Sequence, residues 1–154
     1  MPDIIPPPEI PHPVRVSRAL VTRNELVNNY SKEELTSEIN RILKAFDDAE
    51  QRTRSLAQIK TTPTTFTLSI PIGEGQIIVS LNTSPTADHG VWVYGPSYYG
   101  KVYELSQKLG LEAKTSEKPF AKIIIFNSTH GIRQISKVIE ELVLGLIQIA
   151  EKSQ

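Results

Sequence analysis

The pattern that most constrains the fold is a pair of long helical repeats on either side of a region of much shorter strands. Apolar residues recur at helical spacing from Ser31 to about Ile59, and again from Thr129 to about Lys152. At a rise of about 1.5 Å per residue, the first repeat predicts a helix on the order of 40 Å long. Strands of five or six residues span only about 17–20 Å, so one small sheet cannot cover both apolar stripes. We therefore expect a second copy of the chain to cover the remainder.

The N-terminal segment is rich in proline, with six of the 11 prolines in the first 13 residues. Because proline fixes φ and lacks an N–H donor, residues 1–16 are predicted to form an extended tail. A disordered tail and a segment that docks on a partner or a neighbouring subunit are both consistent with this composition. Docking is favoured by its apolar residues, which are Ile4, Ile5, Ile10, Val14 and Val16. Residues 17–154 are predicted to form one domain, in which residues 17–30 form a short helix or an arm.

The first long helix is predicted to begin at Ser31, because Ser31 and Glu34 have the spacing of a capping box. Its apolar stripe includes Leu35, Ile39, Ile42 and Phe46. Pro63 is predicted to stop this helix.

The region after Pro63 predicts short strands. Residues 64–71 alternate between apolar and polar side chains, and residues 76–81 do the same after a Gly-containing turn, which together predict a β-hairpin. Residues 91–94 predict a third strand and residues 98–109 a helix that Gly110 ends. Residues 111–118 are either a weak edge strand or a loop. Residues 120–126 are apolar on both faces, which predicts a central strand.

These elements predict an α+β fold with a small, mostly antiparallel sheet packed by long helices, in the order α-β-β-β-α-(β)-β-α. The sheet would be a three-stranded meander with one or two further strands. This element order is similar to that of the small dimeric secretion-chaperone folds. Element order does not carry function, so no functional residue is transferred from them.

One candidate site is the predicted turn between the last strand and the last helix. A helix N-terminus presents free N–H groups and a partial positive charge, which favours binding of an anion. The candidate anion-binding residues are Ser128, Thr129, His130, Gly131 and Arg133. Plain capping of the helix by Ser128 or Thr129 explains the same residues.

A second candidate is a protein-binding surface rich in aromatic residues. Tryptophan and tyrosine dominate binding hot spots, but they also pack well in cores. The candidate residues are Trp92, Tyr94, Tyr98 and Tyr99, together with the helical stripe of Leu35, Ile39, Ile42 and Phe46. Asp88 and His89 could form an acid–base pair, but the sequence favours a polar turn at these residues.

Composition excludes several classes of function. The chain has no cysteine, which excludes disulfides, thiol catalysis and thiolate-bound metal. Lys and Arg together number 17, as do Asp and Glu, and a formal net charge of zero argues against nucleic acid and anionic membranes as partners. The three histidines lack ligand-like spacing, so we expect neither a metal nor a cofactor. A protein without a membrane span or signal pattern is expected in the cytoplasm.

The sequence therefore predicts a non-enzymatic protein-interaction module, acting as a homodimer or as a subunit of a larger assembly with an unidentified protein. Two alternatives remain open at this point. One is a small ligand- or anion-binding protein or enzyme that uses the turn from Ser128 to Arg133. The other is a chaperone-like binder of extended polypeptide.

Overall fold

A computed structural model describes residues 13–73, 75–87, 89–112, 122–125 and 129–152. The described elements are five helices and five strands. In chain order they are α1 (Pro13–Lys32), α2 (Thr36–Arg52), β1 (Gln58–Thr61), β2 (Thr65–Ile72), β3 (Gly75–Asn82), β4 (Gly90–Tyr94), α3 (Pro96–Lys108), β5 (Lys122–Ile125), α4 (Thr129–Lys137) and α5 (Ile139–Lys152). The order is α-α-β-β-β-β-α-β-α-α, which confirms the α+β class with a small sheet packed by helices.

The five strands form one antiparallel sheet in the order β1-β2-β3-β4-β5. The predicted hairpin is confirmed as β2 and β3, whose register pairs Phe66 with Leu81 and Ile72 with Gly75. The predicted third strand is β4, which pairs Ile78 of β3 with Trp92.

The described helices pack on one face of the sheet. Alternate strand residues on that face, among them Phe66, Leu68 and Ile70, form one continuous core with the apolar sides of the helices. Phe46 of α2 stacks on Phe66 at a ring-centroid distance of 6.2 Å. Helix α5 crosses the sheet over β2. Helix α3 lies beside α5, because Gly145 of α5 leaves room for the side chain of Leu105.

The predicted capping box at Ser31 is wrong, because α1 continues through Ser31 to Lys32. The segment forms a Schellman motif instead: the N–H of Leu35 donates to the carbonyl of Tyr30 (2.9 Å), and that of Glu34 to the carbonyl of Ser31 (3.0 Å). Glu34 has φ of 61°, the left-handed conformation that this motif requires. The prediction that residues 17–30 form a helix or an arm is resolved in favour of α1.

The predicted long first helix is also wrong at its C-terminal end. Helix α2 ends at Arg52 in a second Schellman motif, with Arg54 at φ of 55° and the N–H of Ser55 bonded to the carbonyl of Glu50 (2.9 Å). The chain then forms β1, so residues 58–61 are an edge strand rather than the end of a helix.

The last helical repeat is divided by a turn at Val138 into α4 and α5. The prediction of a central strand at residues 120–126 is wrong for the described strands, because β5 pairs with β4 alone and lies at the sheet edge. Leu111 and Glu112 follow α3 without forming a strand, and residues 113–121 lie outside the described residues. The predicted extended tail overlaps α1 by four residues, since α1 begins at Pro13, and residues 1–12 also lie outside.

These breaks remove the length mismatch that the sequence indicated. The first predicted long helix is replaced by the shorter α2 and the strand β1, and the second is replaced by α4 and α5. All of these elements pack within a single chain. The central residues of the α2 stripe are consequently covered without a second copy.

Candidate functional site

The opposite face of the sheet carries a different set of side chains, and we call it the open sheet face. It is defined by Gln58, Lys60, Thr67, Ser69, Pro71, Gln76, Ile78, Trp92 and Tyr94, which alternate with the core residues along β1 to β4. The helices of the described residues pack on the core face. Ile78 and Trp92 are register partners on adjacent strands, and both are only half-buried. This face therefore combines two partly exposed apolar side chains with mainly polar neighbours.

A groove of about 510 Å³ lies at one end of the open sheet face. It extends across β1, β2, β3 and the end of β4. Its lining residues are Leu56, Gln58, Lys60, Ser69, Pro71, Gly75, Gln76 and Tyr94. Tyr94 therefore belongs to this groove, while Trp92 lies two residues earlier on the same strand and on the same face.

The groove presents several hydrogen-bonding side chains. The hydroxyl of Ser69 donates to Oε1 of Gln76 at 2.8 Å, which leaves the amide N–H groups of Gln76 as its donors toward a ligand. Lys60 is the single charged residue among the lining residues, and it is exposed. The phenol of Tyr94 and the amide of Gln58 supply further polar groups. Such a lining suits a ligand that offers carbonyl oxygens, an apolar surface and negative charge.

The backbones of β3 and β4 approach each other closely at this end of the sheet. An added Cβ at Gly75 would lie 1.5 Å from the carbonyl oxygen of Tyr94, so only glycine fits there. The glycine lets β3 begin directly beside the end of β4, which brings Tyr94 next to Gln76.

The other two predicted aromatic residues lie elsewhere. Tyr98 and Tyr99 are on α3, where Tyr98 packs against the core and Lys101 lies 5.8 Å from its ring centroid. The rings of Tyr99 and Tyr103 are 5.8 Å apart. Burial, and then the neighbouring Tyr103, raise the pKa of the Tyr99 phenol. The structure therefore divides the aromatic cluster between the open sheet face and α3.

The helical residues predicted for protein binding are in the core. Leu35, Ile39 and Phe46 have no exposed area, and Ile42 is 1% exposed. They pack against the sheet and the other helices within one chain, so they are not part of a surface that a partner could contact. The prediction relied on an unbroken helix too long for the sheet, and α2 is only 17 residues long.

The residues predicted to bind an anion are partly described. Helix α4 begins at Thr129, His130 and Arg133 are exposed, and Gly131 is buried. Ser128 lies outside the described residues. The first turn of α4 contains no acidic residue, as the sequence indicated.

His89 is completely buried, and Asp88 lies outside the described residues. The backbone N–H of Asn82 donates to Nδ1 of His89 (3.0 Å), which assigns the ring proton to Nε2 and directs it to the carbonyl of Pro85 (3.1 Å). Both ring nitrogens thus hold the loop between β3 and β4 in place. A histidine engaged in this way has a structural role, and neither nitrogen faces a substrate.

A second groove, of about 310 Å³, lies between α2 and α5. Its lining includes Val143 and Leu144, and Leu144 is 42% exposed. Beside it, Arg41 and Glu140 form a bidentate ion pair with N–O distances of 2.9 Å. The hydrogen bonds from Arg41 hold the pKa of the Glu140 carboxyl below its ordinary value. This pair joins α2 to α5 at the surface.

The described part of the chain contains no group of three or more His, Asp or Glu residues placed to hold a metal ion. None of its helices combines the length and the apolar character that crossing a membrane requires.

Comparisons with protein-family models, with curated proteins and with solved structures find no match to this chain.

Proposed function

We propose that this chain is a non-enzymatic protein-interaction module that binds its partner through the open sheet face. The observation that carries the proposal is the pair of Ile78 and Trp92, half-buried register partners on a face to which the described helices do not contribute. Burying the remaining apolar area of such residues in a contact stabilises it by about 25 cal/mol per Å².

The partner in this proposal is a second copy of the chain or a subunit of a larger assembly. Among the side chains that define the open sheet face, only Lys60 is charged. Two copies of this face could therefore meet with little repulsion between like charges, as a two-fold symmetric contact requires. A sheet that packs face to face against another sheet is also a common way to build a core, with a spacing of about 10 Å.

The test compares two substitutions that each introduce a lysine in place of a β-branched residue. Ile78→Lys alters the open sheet face, and Val21→Lys is its matched control on α1, where Val21 is 58% exposed. Sedimentation velocity of the full chain should give the mass of a dimer or larger assembly for the wild type and for Val21→Lys. Ile78→Lys should shift the protein toward the monomer.

Trp92 offers a second measurement, because it is the single tryptophan of the chain. Its emission should move to longer wavelength as the protein is diluted and the assembly dissociates. A wild-type protein that sediments as a monomer at several hundred micromolar would rule out self-association. If Ile78→Lys and Val21→Lys changed the assembly equally, the open sheet face would not be the contact surface.

A further inference from the structure

The groove on the open sheet face has a composition that suits one segment of this chain. We infer that it binds the Pro-rich residues 1–12, and that Tyr94, Gln76 and Lys60 make the contacts. This inference rests on the proposed use of the open sheet face for protein contacts and names the polypeptide bound there. Residues 1–12 lie outside the described residues, and their amino-acid sequence is compared here with the side chains of the groove.

The segment offers hydrogen-bond acceptors for which the groove has donors. Five of residues 1–12 are proline, namely Pro2, Pro6, Pro7, Pro8 and Pro11. Proline has a carbonyl acceptor and no N–H donor, so this segment offers more acceptors than donors. In the groove, the Ser69 hydroxyl donates to the amide oxygen of Gln76, so the amide N–H groups of Gln76 can donate to carbonyls of the segment.

The conformation that the segment favours suits a groove with an aromatic side chain. Consecutive prolines favour the polyproline II conformation, and aromatic-lined grooves bind such segments because little entropy is lost on binding. Tyr94 lines the groove. Ile4, Ile5 and Ile10 of the segment supply apolar side chains that the ring of Tyr94 can cover.

The segment and the groove carry opposite charges. Residues 1–12 contain two acidic residues, Asp3 and Glu9, and no lysine or arginine. The charged residue of the groove is Lys60. An acidic segment and a groove with one exposed lysine attract each other, and Lys60 also fixes the position of the segment along the face.

Residues 1–12 are long enough to extend from α1 to the groove. Helix α1 is joined to the turn after β1, where the Thr22 hydroxyl donates to the carbonyl of Thr62 (3.1 Å). Residues 13–21 extend α1 for about 14 Å beyond that point. Twelve residues in the polyproline II conformation span about 37 Å. The groove lies at the other end of the sheet from Thr62, and the eight residues of β2 span about 27 Å, so the segment is long enough to reach the groove.

The absence of cysteine from the sequence allows a direct test by disulfide formation in the full chain. One variant combines Pro8→Cys with Gln58→Cys in the groove. The matched control combines Pro8→Cys with Gln148→Cys, because Gln148 is an equally exposed glutamine on α5. Under mild oxidation, the groove pair should crosslink at least about tenfold faster than the control, since binding raises the effective concentration of the two thiols.

The mass of the crosslinked product identifies which groove is occupied. A product of one chain's mass places the segment in the groove of its own chain, and a product of twice that mass places it in a neighbour's. Both results support the inference. Equal rates for the groove pair and the control pair would overturn it, even if Ile78→Lys still dissociated the assembly.

A charge exchange tests the role of Lys60 separately from folding. Lys60→Glu should slow crosslinking of the groove pair, and Glu9→Lys should slow it as well. The two changes together should restore the rate, because they reverse the ion pair. If the combined variant crosslinked as slowly as the single variants, Lys60 and Glu9 would not be in contact.

Discussion

The phenol oxygen of Tyr30 lies 3.3 Å from Nδ1 of His89, and both side chains are completely buried. The Tyr30 hydroxyl donates to the carbonyl of Asn82 (3.0 Å), whose own N–H donates to Nδ1 of His89. Nearby, the amide of Asn29 donates to the carbonyl of Thr83 (2.8 Å). One cluster of hydrogen bonds therefore joins α1 to the loop between β3 and β4.

The structural role of His89 predicts a large cost for its removal. His89→Ala would leave the buried N–H of Asn82 without an acceptor and would create a cavity, so we expect a loss of about 2–4 kcal/mol in the free energy of unfolding. His89→Asn should lose less, because its side-chain oxygen can replace Nδ1 as the acceptor. Urea denaturation measures both.

The control for this prediction is His130→Ala, at an exposed position on α4. Its free energy of unfolding should stay within about 0.5 kcal/mol of the wild type. Equal effects of the two alanine substitutions would contradict a structural role for His89.

Tyr30 predicts a dependence of stability on alkaline pH. Burial raises the pKa of the Tyr30 phenol well above its ordinary value of 10.0. The unfolded chain ionises this tyrosine near pH 10 while the folded chain keeps it neutral. The contribution of Tyr30 to stability is therefore fully present below about pH 10 and decreases as the pH rises further.

The variant Tyr30→Phe cannot ionise at this position and isolates the effect. At pH 8 it should be less stable than the wild type by about 1 kcal/mol, because the hydrogen bond to Asn82 is lost. The difference should shrink above about pH 10 and reverse in sign by about pH 11.5, because 1.5 pH units above the unfolded pKa correspond to about 2 kcal/mol. Urea denaturation at each pH measures it. A constant difference over this range would show that the phenol ionises as easily in the folded protein as in the unfolded one.

The helix ends show how far the sequence could predict this fold. At the end of α3, Gly110 adopts φ of 74° and Leu111 bonds back to the carbonyl of Ser106 (2.9 Å), as the glycine indicated. Helices α1 and α2 end in the same motif, but Glu34 and Arg54 hold the left-handed position. Because neither residue type favours that conformation, these two helix ends could not be predicted from the residue types.

The residues of the candidate site could be predicted only in part. The alternation along β2 and β3 correctly indicated which residues of each strand face the core, while the opposite face is polar except for Ile78 and Pro71. Which strands lie side by side depends on pairing between distant residues, so Gln58 and Lys60 of β1 could not be placed beside Tyr94. Leu35 and Ile39 looked surplus to the core because the missed helix ends made the first helix too long.

Gly100 within α3 and Gly110 just after it should respond to alanine in opposite directions. An added Cβ meets no atom within 4 Å at either Gly100 or Gly110, so crowding plays no part. Gly100 lies inside the helix, where alanine is favoured, and Gly100→Ala should raise the free energy of unfolding by about 0.5–1 kcal/mol. Gly110→Ala should lower it by about 1–2 kcal/mol because of its positive φ. Thermal and urea denaturation measure both, and changes of the same sign would contradict the assigned helix end.

Two neighbouring leucines of α5 test the placement of the helices on one face of the sheet. Leu142 is completely buried in the core, and Leu144 is 42% exposed. Leu142→Ala should lower the free energy of unfolding by about 2–5 kcal/mol, because it removes buried methyl groups and leaves a cavity. Leu144→Ala, as the matched control, should change it by less than about 0.5 kcal/mol. If urea denaturation gave a loss below about 1 kcal/mol for Leu142→Ala, then α5 would be rotated from the orientation described.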